Sequence, residues 1–295
     1  MEATEPVVHA EFLDPLSRGL DRGALLTDDG CMRVTFLGTG TSHGIPMIGC
    51  DCAVCRSDNP RNQRLRPSVY IENGSQCLLV DATPDFRAQA LRANIRQVDA
   101  VLITHTHADH VLGLDDLRVF CQRTGRKLPI HGSPHSIETI QQMFAYACTE
   151  TPAWPGLPSF ELHTLQPDQQ CEVAGTAFRV LPLLHGRMTV YGFLFGRDLA
   201  YVTDCNVVSA DVVESIRGVT VLVLDALRHR PHPTHLTIDQ ARDVAGQVGA
   251  KLTLFTHLCH EAEHEAVEKE LPPQVRVAYD GMQIEVANGE VRQLA

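Results

Sequence analysis

Thr104-His105-Thr106-His107-Ala108-Asp109-His110 decides how the rest of this chain is read. Three imidazoles and one carboxylate fall within positions 105–110, directly after the apolar run Ala100-Val101-Leu102-Ile103. A strand followed by a sharp turn lets His105 and His107 project to one side while Asp109 and His110 point inward from the next turn. Imidazole nitrogen and carboxylate oxygen are the ligands that borderline divalent metals take in hydrolytic sites. Three His and one Asp exceed what one catalytic zinc needs, so the spacing points to two metals side by side. A His-rich surface turn is the competing reading, and matching residues downstream count against it.

Phe178-Arg179-Val180-Leu181-Pro182-Leu183-Leu184 runs into His185, and Leu199-Ala200-Tyr201-Val202-Thr203 runs into Asp204. Lys251-Leu252-Thr253-Leu254-Phe255-Thr256 runs into His257. Each run is short and nearly continuously apolar, the pattern of a strand buried on both faces. Ligands at one end of several sheet strands converge in a single crevice. Taken singly, a His or Asp after a strand is usually a cap.

In order, His105-x-His107-x-Asp109-His110, His185, Asp204 and His257 resemble the dinuclear hydrolase pattern of the metallo-β-lactamase superfamily. The resemblance implies an α/β fold, an αββα sandwich of two mixed β-sheets flanked by helices. It implies that His105, His107 and His185 hold one metal, that Asp109, His110 and His257 hold the other, and that Asp204 bridges them. Asp109 then counts among the catalytic residues. Asp81, after Cys77-Leu78-Leu79-Val80, resembles the family's buried Asp that hydrogen-bonds the ligand loop. Such partners orient ligands and tune their basicity; a strand-end cap is the alternative.

The 295 residues, 44% of them apolar, are enough for one large domain or two small ones. A resemblance from about Cys31 to about Val286 favours a single hydrolase domain over 31–295, with residues 1–30 as an N-terminal extension or edge segment. The net charge of −11 opposes a polyanion-seeking surface. With no signal-like n- and h-regions and no apolar stretch near the ~20 residues that span a bilayer, a cytoplasmic protein is expected. Expected partners are a small phosphodiester, not nucleic acid or membrane, with a homodimer left open.

Ten cysteines in such a chain are expected as thiols or metal ligands. Cys50-Asp51-Cys52-Ala53-Val54-Cys55 is a C-x-C-x-x-C knuckle supplying three corners of a zinc tetrahedron. Thr256-His257-Leu258-Cys259-His260 offers the fourth: with His257 facing the catalytic metals, His260 faces away toward the knuckle, and Cys259 is the competitor. Cys31, Cys77, Cys121, Cys148, Cys171 and Cys205 read as buried small apolar residues.

Together with Leu37-Gly38-Thr39-Gly40-Thr41-Ser42-His43-Gly44-Ile45-Pro46 and Tyr279-Asp280-Gly281-Met282-Gln283-Ile284, this knuckle resembles the cyclic phosphodiesterases of bacterial carbon–phosphorus lyase pathways. Those enzymes hydrolyse a phosphoribosyl cyclic phosphate and carry a structural zinc on such a set. The expected cofactors are therefore two catalytic divalent ions, zinc or manganese, and one structural zinc on Cys50, Cys52, Cys55 and His260. Ser42-His43 and Leu114–Phe120 depart from that pattern and leave the exact substrate open. The quinone-cofactor proteins with a similar knuckle lack the full HxHxDH set.

By the same resemblance His235 is the general acid, with His229 and His232 as alternatives. Arg228 and Arg230 present planar forks for phosphate oxygens, although lone arginines are more often solvated. The rivals are a tRNA 3′-end endonuclease of the ribonuclease Z type and a metal-binding scaffold without turnover. The endonuclease needs a Gly-rich basic arm, and the 110–185 span contains only Gly125-Arg126-Lys127. Helices are expected over Pro84 to about Asn94, Ser136 to about Ala147, and Glu261 to about Leu271. Thr237-Ile238-Asp239-Gln240 reads as a capping box opening a helix to about Val248.

Overall fold

The structure is a computed structural model that describes residues 30–150 and 154–294. The expected N-terminal segment, apart from Gly30, lies outside the described residues. The first sheet opens with β1 (Cys31–Gly38), β2 (Ser68–Asn73), β3 (Gln76–Val80), β4 (Ala100–Leu102), β5 (Leu128–Gly132) and β6 (Phe160–Thr164). The second consists of β7 (Gln170–Val173), β8 (Thr176–His185), β9 (Met188–Phe195), β10 (Leu199–Val202), β11 (Val221–Asp225), β12 (Leu252–Thr256) and β13 (Val275–Val277). The chain then returns to the first sheet with β14 (Gln283–Ala287) and β15 (Glu290–Gln293), which pair beside β1.

Both sheets mix antiparallel hairpins with parallel strands. Their facing surfaces form the central core: Phe36, Ile71 and Val80 pack toward Phe178, Phe193 and Tyr201. Helices α1 (Phe86–Arg92), α2 (Ala108–Val111), α3 (Arg118–Thr124) and α4 (Pro134–Met143) accompany the first sheet. Phe86, Phe120 and Ile140 cover its outer face at Leu79 and Val101. Helices α5 (Ala210–Ser215), α6 (Ile238–Val248) and α7 (His264–Glu270) cover the second, with Val212, Ile238 and Val267 against Leu222, Leu224 and Phe255. The architecture is the four-layer αββα sandwich.

β10 and β11 are buried at every residue, as parallel strands between two layers must be. β8 departs from that expectation. It is an antiparallel hairpin strand on which burial alternates, and Leu184 stands 42% exposed. The capping box at Thr237 and Gln240 is present and α6 ends on Gly249 in the left-handed region. Two helix expectations shift at their ends: α1 is shorter, and α4 starts at Pro134 behind the Ser133 cap and breaks before a 3-10 turn over Ala145–Ala147. The third begins three residues later than read, because Glu263 is the N-cap of α7 and residues 259–261 are committed to other contacts. Cys77, Cys121 and Cys205 are buried, whereas Cys31, Cys148 and Cys171 are only half-buried.

One end of the sandwich collects the chemistry. Asp81 follows β3, His105 follows β4, His185 ends β8, Asp204 follows β10, Asp225 ends β11 and His257 follows β12. Three of these turn with positive φ: Asp81 at 61°, Asp204 at 55° and His257 at 62°. Non-glycine residues held there store local strain of roughly 1–3 kcal/mol each, and such residues cluster at functional sites.

Candidate metal centre and active site

His105, His107 and His185 present ligand atoms within 4.8 Å of one another, and so do Asp109, His110 and His257. Asp204 joins His105 and His110 in a third set, and His185 and His235 in a fourth. The carboxylate Oδ1 of Asp204 lies 3.1 Å from His257 Nε2 and 3.4 Å from His110 Nε2, between the two groups. His105 Nε2 and His107 Nδ1 face each other at 2.9 Å. All these side chains except the exposed His107 are buried.

Outer contacts fix which nitrogen the rings of His110, His185 and His235 offer. Asp81 accepts from His110 Nδ1 at 2.7 Å, from Thr104 N at 2.9 Å and from Thr104 Oγ1 at 2.8 Å. His185 Nδ1 donates to the Thr234 carbonyl at 2.8 Å, which turns Nε2 to the crevice. His235 Nδ1 donates to Asp225 Oδ2 at 2.7 Å, and its ring stacks on His257 with centroids 4.7 Å apart. Thr104 and Asp225 are the contacts that sequence reading missed as functional. Asp225 carried the signal that located Asp204, an acidic residue closing an apolar strand.

Burial and charge together show what chemistry the cluster suits. Burial pushes the Asp204 carboxyl up, but His257 and His110 outweigh it and hold it well below the usual range. Burial pushes His257 down, yet Asp204 and its neighbours raise it to about 9. His110 is likewise held well above its ordinary value by Asp204, Asp81 and Asp109 against burial. The carboxylates thus draw positive charge into a buried site. Among the described residues, His110 Nε2 and both ring nitrogens of His257 make no well-aligned hydrogen bond despite full burial. Buried polar atoms left so are rare, and ring nitrogens that can accept, gathered in one place, are free to take an ion. Donor type, convergence and orphaned nitrogens all fit a pair of divalent cations.

The knuckle residues also converge. Cys50, Cys52, Cys55 and His260 form one ligand set, with His260 Nδ1 3.3 Å from Cys50 Sγ and 3.4 Å from Cys52 Sγ. Met47 N donates to Cys55 Sγ at 3.3 Å and Cys55 N to Cys52 Sγ at 3.4 Å. The hydrogen bond from Cys55 N, followed by that from His260, pulls the Cys52 thiol down to about 6. Burial pushes the neighbouring Cys55 thiol up to about 11 in the absence of an ion, and a set of three Cys and one His suits a closed structural zinc site. The sequence competitor Cys259 instead accepts from Glu261 N at 3.4 Å and is outside this set.

Of the three histidines open to the acid role, His235 alone touches the metal-ligand group. His229 is half-exposed 3.6 Å from Glu270, and His232 lines the cleft with its ring 5.1 Å from that of His235. Arg228 lines the same cleft, whereas Arg230 does not; both forks engage Glu261.

A β-lactamase superfamily domain model matches residues 76–258, the stretch that carries every catalytic ligand candidate. The chain belongs to the metallo-β-lactamase superfamily. Within the superfamily it resembles a solved diphosphatase of the PhnP family, at 39% identity and a TM-score of 0.81 over 90% of this chain and 99% of that one. An octanoyltransferase of Porphyromonas gingivalis is 38% identical over 255 residues, 85% of this chain, but the chain spans about half, 51%, of that protein. A ribonuclease Z of Methanopyrus kandleri is 27% identical over 283 residues, 77% of this chain and 94% of that protein. Superfamily membership and the donor set together support a metal-dependent hydrolase. Among the described residues no helix is long and apolar enough to cross a membrane.

Proposed function

We propose that this chain is a dinuclear metal-dependent phosphodiesterase acting on a small, cyclic phosphodiester such as a phosphoribosyl cyclic phosphate. The observation that carries the reading is the placement of His235, held by Asp225, beside a seven-ligand cluster of His and Asp. His105, His107 and His185 would hold one ion, Asp109, His110 and His257 the other, and Asp204 both. Two such ions supply positive charge to phosphoryl oxygens and make water a better nucleophile near neutral pH.

The chain's own residues do the rest. Asp225 accepts from His235 Nδ1 and leaves Nε2 facing the cleft, and in its protonated, imidazolium form His235 gives the Nε2 proton to the departing alkoxide. Asp81 and Thr104 orient the rings of the HxHxDH turn. The knuckle holds a structural zinc on Cys50, Cys52, Cys55 and His260, giving three metals per chain.

Small size is supported by the cleft beside His235, about 180 Å³, and by the net charge of −11. The PhnP-family neighbour, itself a diphosphatase, supports phosphoryl chemistry. A hydrolysis screen across 2′,3′-cyclic nucleotides, cyclic sugar phosphates, diphosphate-linked compounds and tRNA precursors tests the reading. Preference for cyclic phosphates supports it. Efficient cleavage of tRNA precursors with no action on any cyclic phosphate replaces it with the ribonuclease Z reading.

A further inference from the structure

The cleft beyond His235 is walled by three segments, around 41–47, 227–235 and 257–261. Arg228 forms part of its polar wall, with a side chain 18% exposed, and little of its fork is free to move. Its Nη1 donates to Glu261 Oε1 at 2.7 Å and its Nε to the Arg230 carbonyl at 3.3 Å. Glu261 also accepts from Arg230, from Nε at 2.7 Å and from Nη2 at 2.6 Å. One carboxylate therefore binds two guanidiniums, and the trio keeps a single net positive charge. Arg230 pulls from outside, 68% exposed, while Arg228 faces the cleft.

Glu261 has an unusually fixed seat for a residue on a turn. Within positions 257–261 the chain offers His257 to the catalytic cluster and His260 to the thiolates. Leu258 N donates to Thr39 O at 3.1 Å, and Cys259 N donates to Leu227 O at 3.0 Å, tying together the backbones that precede Glu261 and Arg228. Both ends of the ion pair are thus anchored to the same framework as the ligands.

We propose that Glu261 is a positioning residue that fixes Arg228 against the phosphate of the substrate and thereby sets substrate affinity rather than the rate of the chemical step. The inference rests on the phosphodiester reading above. Without the Glu261 charge, two guanidiniums at one point repel each other and Arg228 loses its principal acceptor. Its fork then drifts from the cleft wall, and a phosphate contact made equally in the ground state and the transition state is lost, which raises KM without changing kcat.

The test is steady-state hydrolysis of bis(p-nitrophenyl) phosphate by metal-loaded full-length Glu261→Gln, with calorimetric binding of inorganic phosphate on the same samples. KM and the phosphate Kd should both rise roughly tenfold while kcat stays within about twofold. Glu261→Asp, which keeps the charge on a shorter arm, should recover part of the loss. Arg228→Ala should weaken phosphate binding at least as much, and the double variant no further than Arg228→Ala alone. Unchanged phosphate affinity in Glu261→Gln, or additive losses in the double variant, overturns the proposal. So does a fall in kcat that tracks a lowered metal content or melting temperature, which would make the role structural. Wild-type protein that binds phosphate in this Glu261-dependent way yet hydrolyses no phosphodiester would overturn the functional reading and leave the positioning role standing.

Discussion

Asp225 Oδ2 accepts a hydrogen bond from His235 Nδ1 at 2.7 Å, in a pair whose carboxylate is fully buried. The contact leaves Nε2 of His235 as the nitrogen available to the cleft. Asp225→Asn keeps the shape but loses the carboxylate that orients the protonated ring. We expect metal content to stay unchanged and kcat on an alkyl phosphodiester to fall by roughly 10²-fold, the lower range for a positioned acid. The fall should be much smaller for a p-nitrophenyl ester, whose leaving group departs as a stable anion. Equal losses on both substrates would remove His235 from the acid role.

The knuckle joins Cys50 to His260 across 210 positions of chain. Structural zinc contributes folding free energy directly. Cys52→Ser should therefore lower the melting temperature by roughly 6–12 °C, corresponding to about 3 kcal/mol. The folded fraction should keep most of its kcat. An unchanged melting temperature, with the thiols freely reactive in wild-type protein, would show that no zinc is held there.

Asp81 turns the imidazole of His110 by its 2.7 Å contact at Nδ1. Asp81→Ala should weaken metal affinity roughly 10–100-fold, the usual effect of removing such a partner. Titration of metal-stripped protein reads this directly, and an affinity equal to wild type would assign Asp81 to strand capping alone.

How far the sequence carries these readings depends on whether the signal is local. Apolar runs ending on His185, Asp204 and His257 were legible because strand and ligand are adjacent in the chain. Convergence of Cys50, Cys52 and Cys55 with His260 followed from the three-residue step after His257. Asp225 closes an apolar strand as Asp204 does, but its contact with His235 is made only by the fold. Glu261 has the sequence pattern of a polar helix start; its bonds to Arg228 and Arg230 span 33 and 31 positions and have no local signature. β8 misled because Leu184 is apolar yet exposed on an antiparallel hairpin strand.

Acid stability offers a test away from the metals. Burial, then the nearby Arg64 guanidinium, pushes the His264 imidazole down to about 4. Arg64 Nη2 lies 3.1 Å from His264 Nδ1, which accepts in the neutral ring. Because the folded value lies below the unfolded one of about 6.5, His264 costs no stability above pH ~6.5. As pH falls from ~6.5 toward 4 the unfolded chain takes the proton first, and roughly 3 kcal/mol is lost. In His264→Gln the drop in urea midpoint between pH 7 and pH 4.5 should be smaller than in wild type. An identical drop in both proteins would place the acid sensitivity elsewhere.

The proposed phosphodiester hydrolysis depends on two metal ions held by the ligand set from His105 to His257. Turnover of bis(p-nitrophenyl) phosphate, with metal content determined on the same samples, tests it most directly. Protein purified without chelator should approach three metals per chain, lose activity when the catalytic ions are stripped and regain it with zinc or manganese. Asp204→Ala should lower occupancy and turnover together. Full activity in metal-stripped protein would contradict the claim.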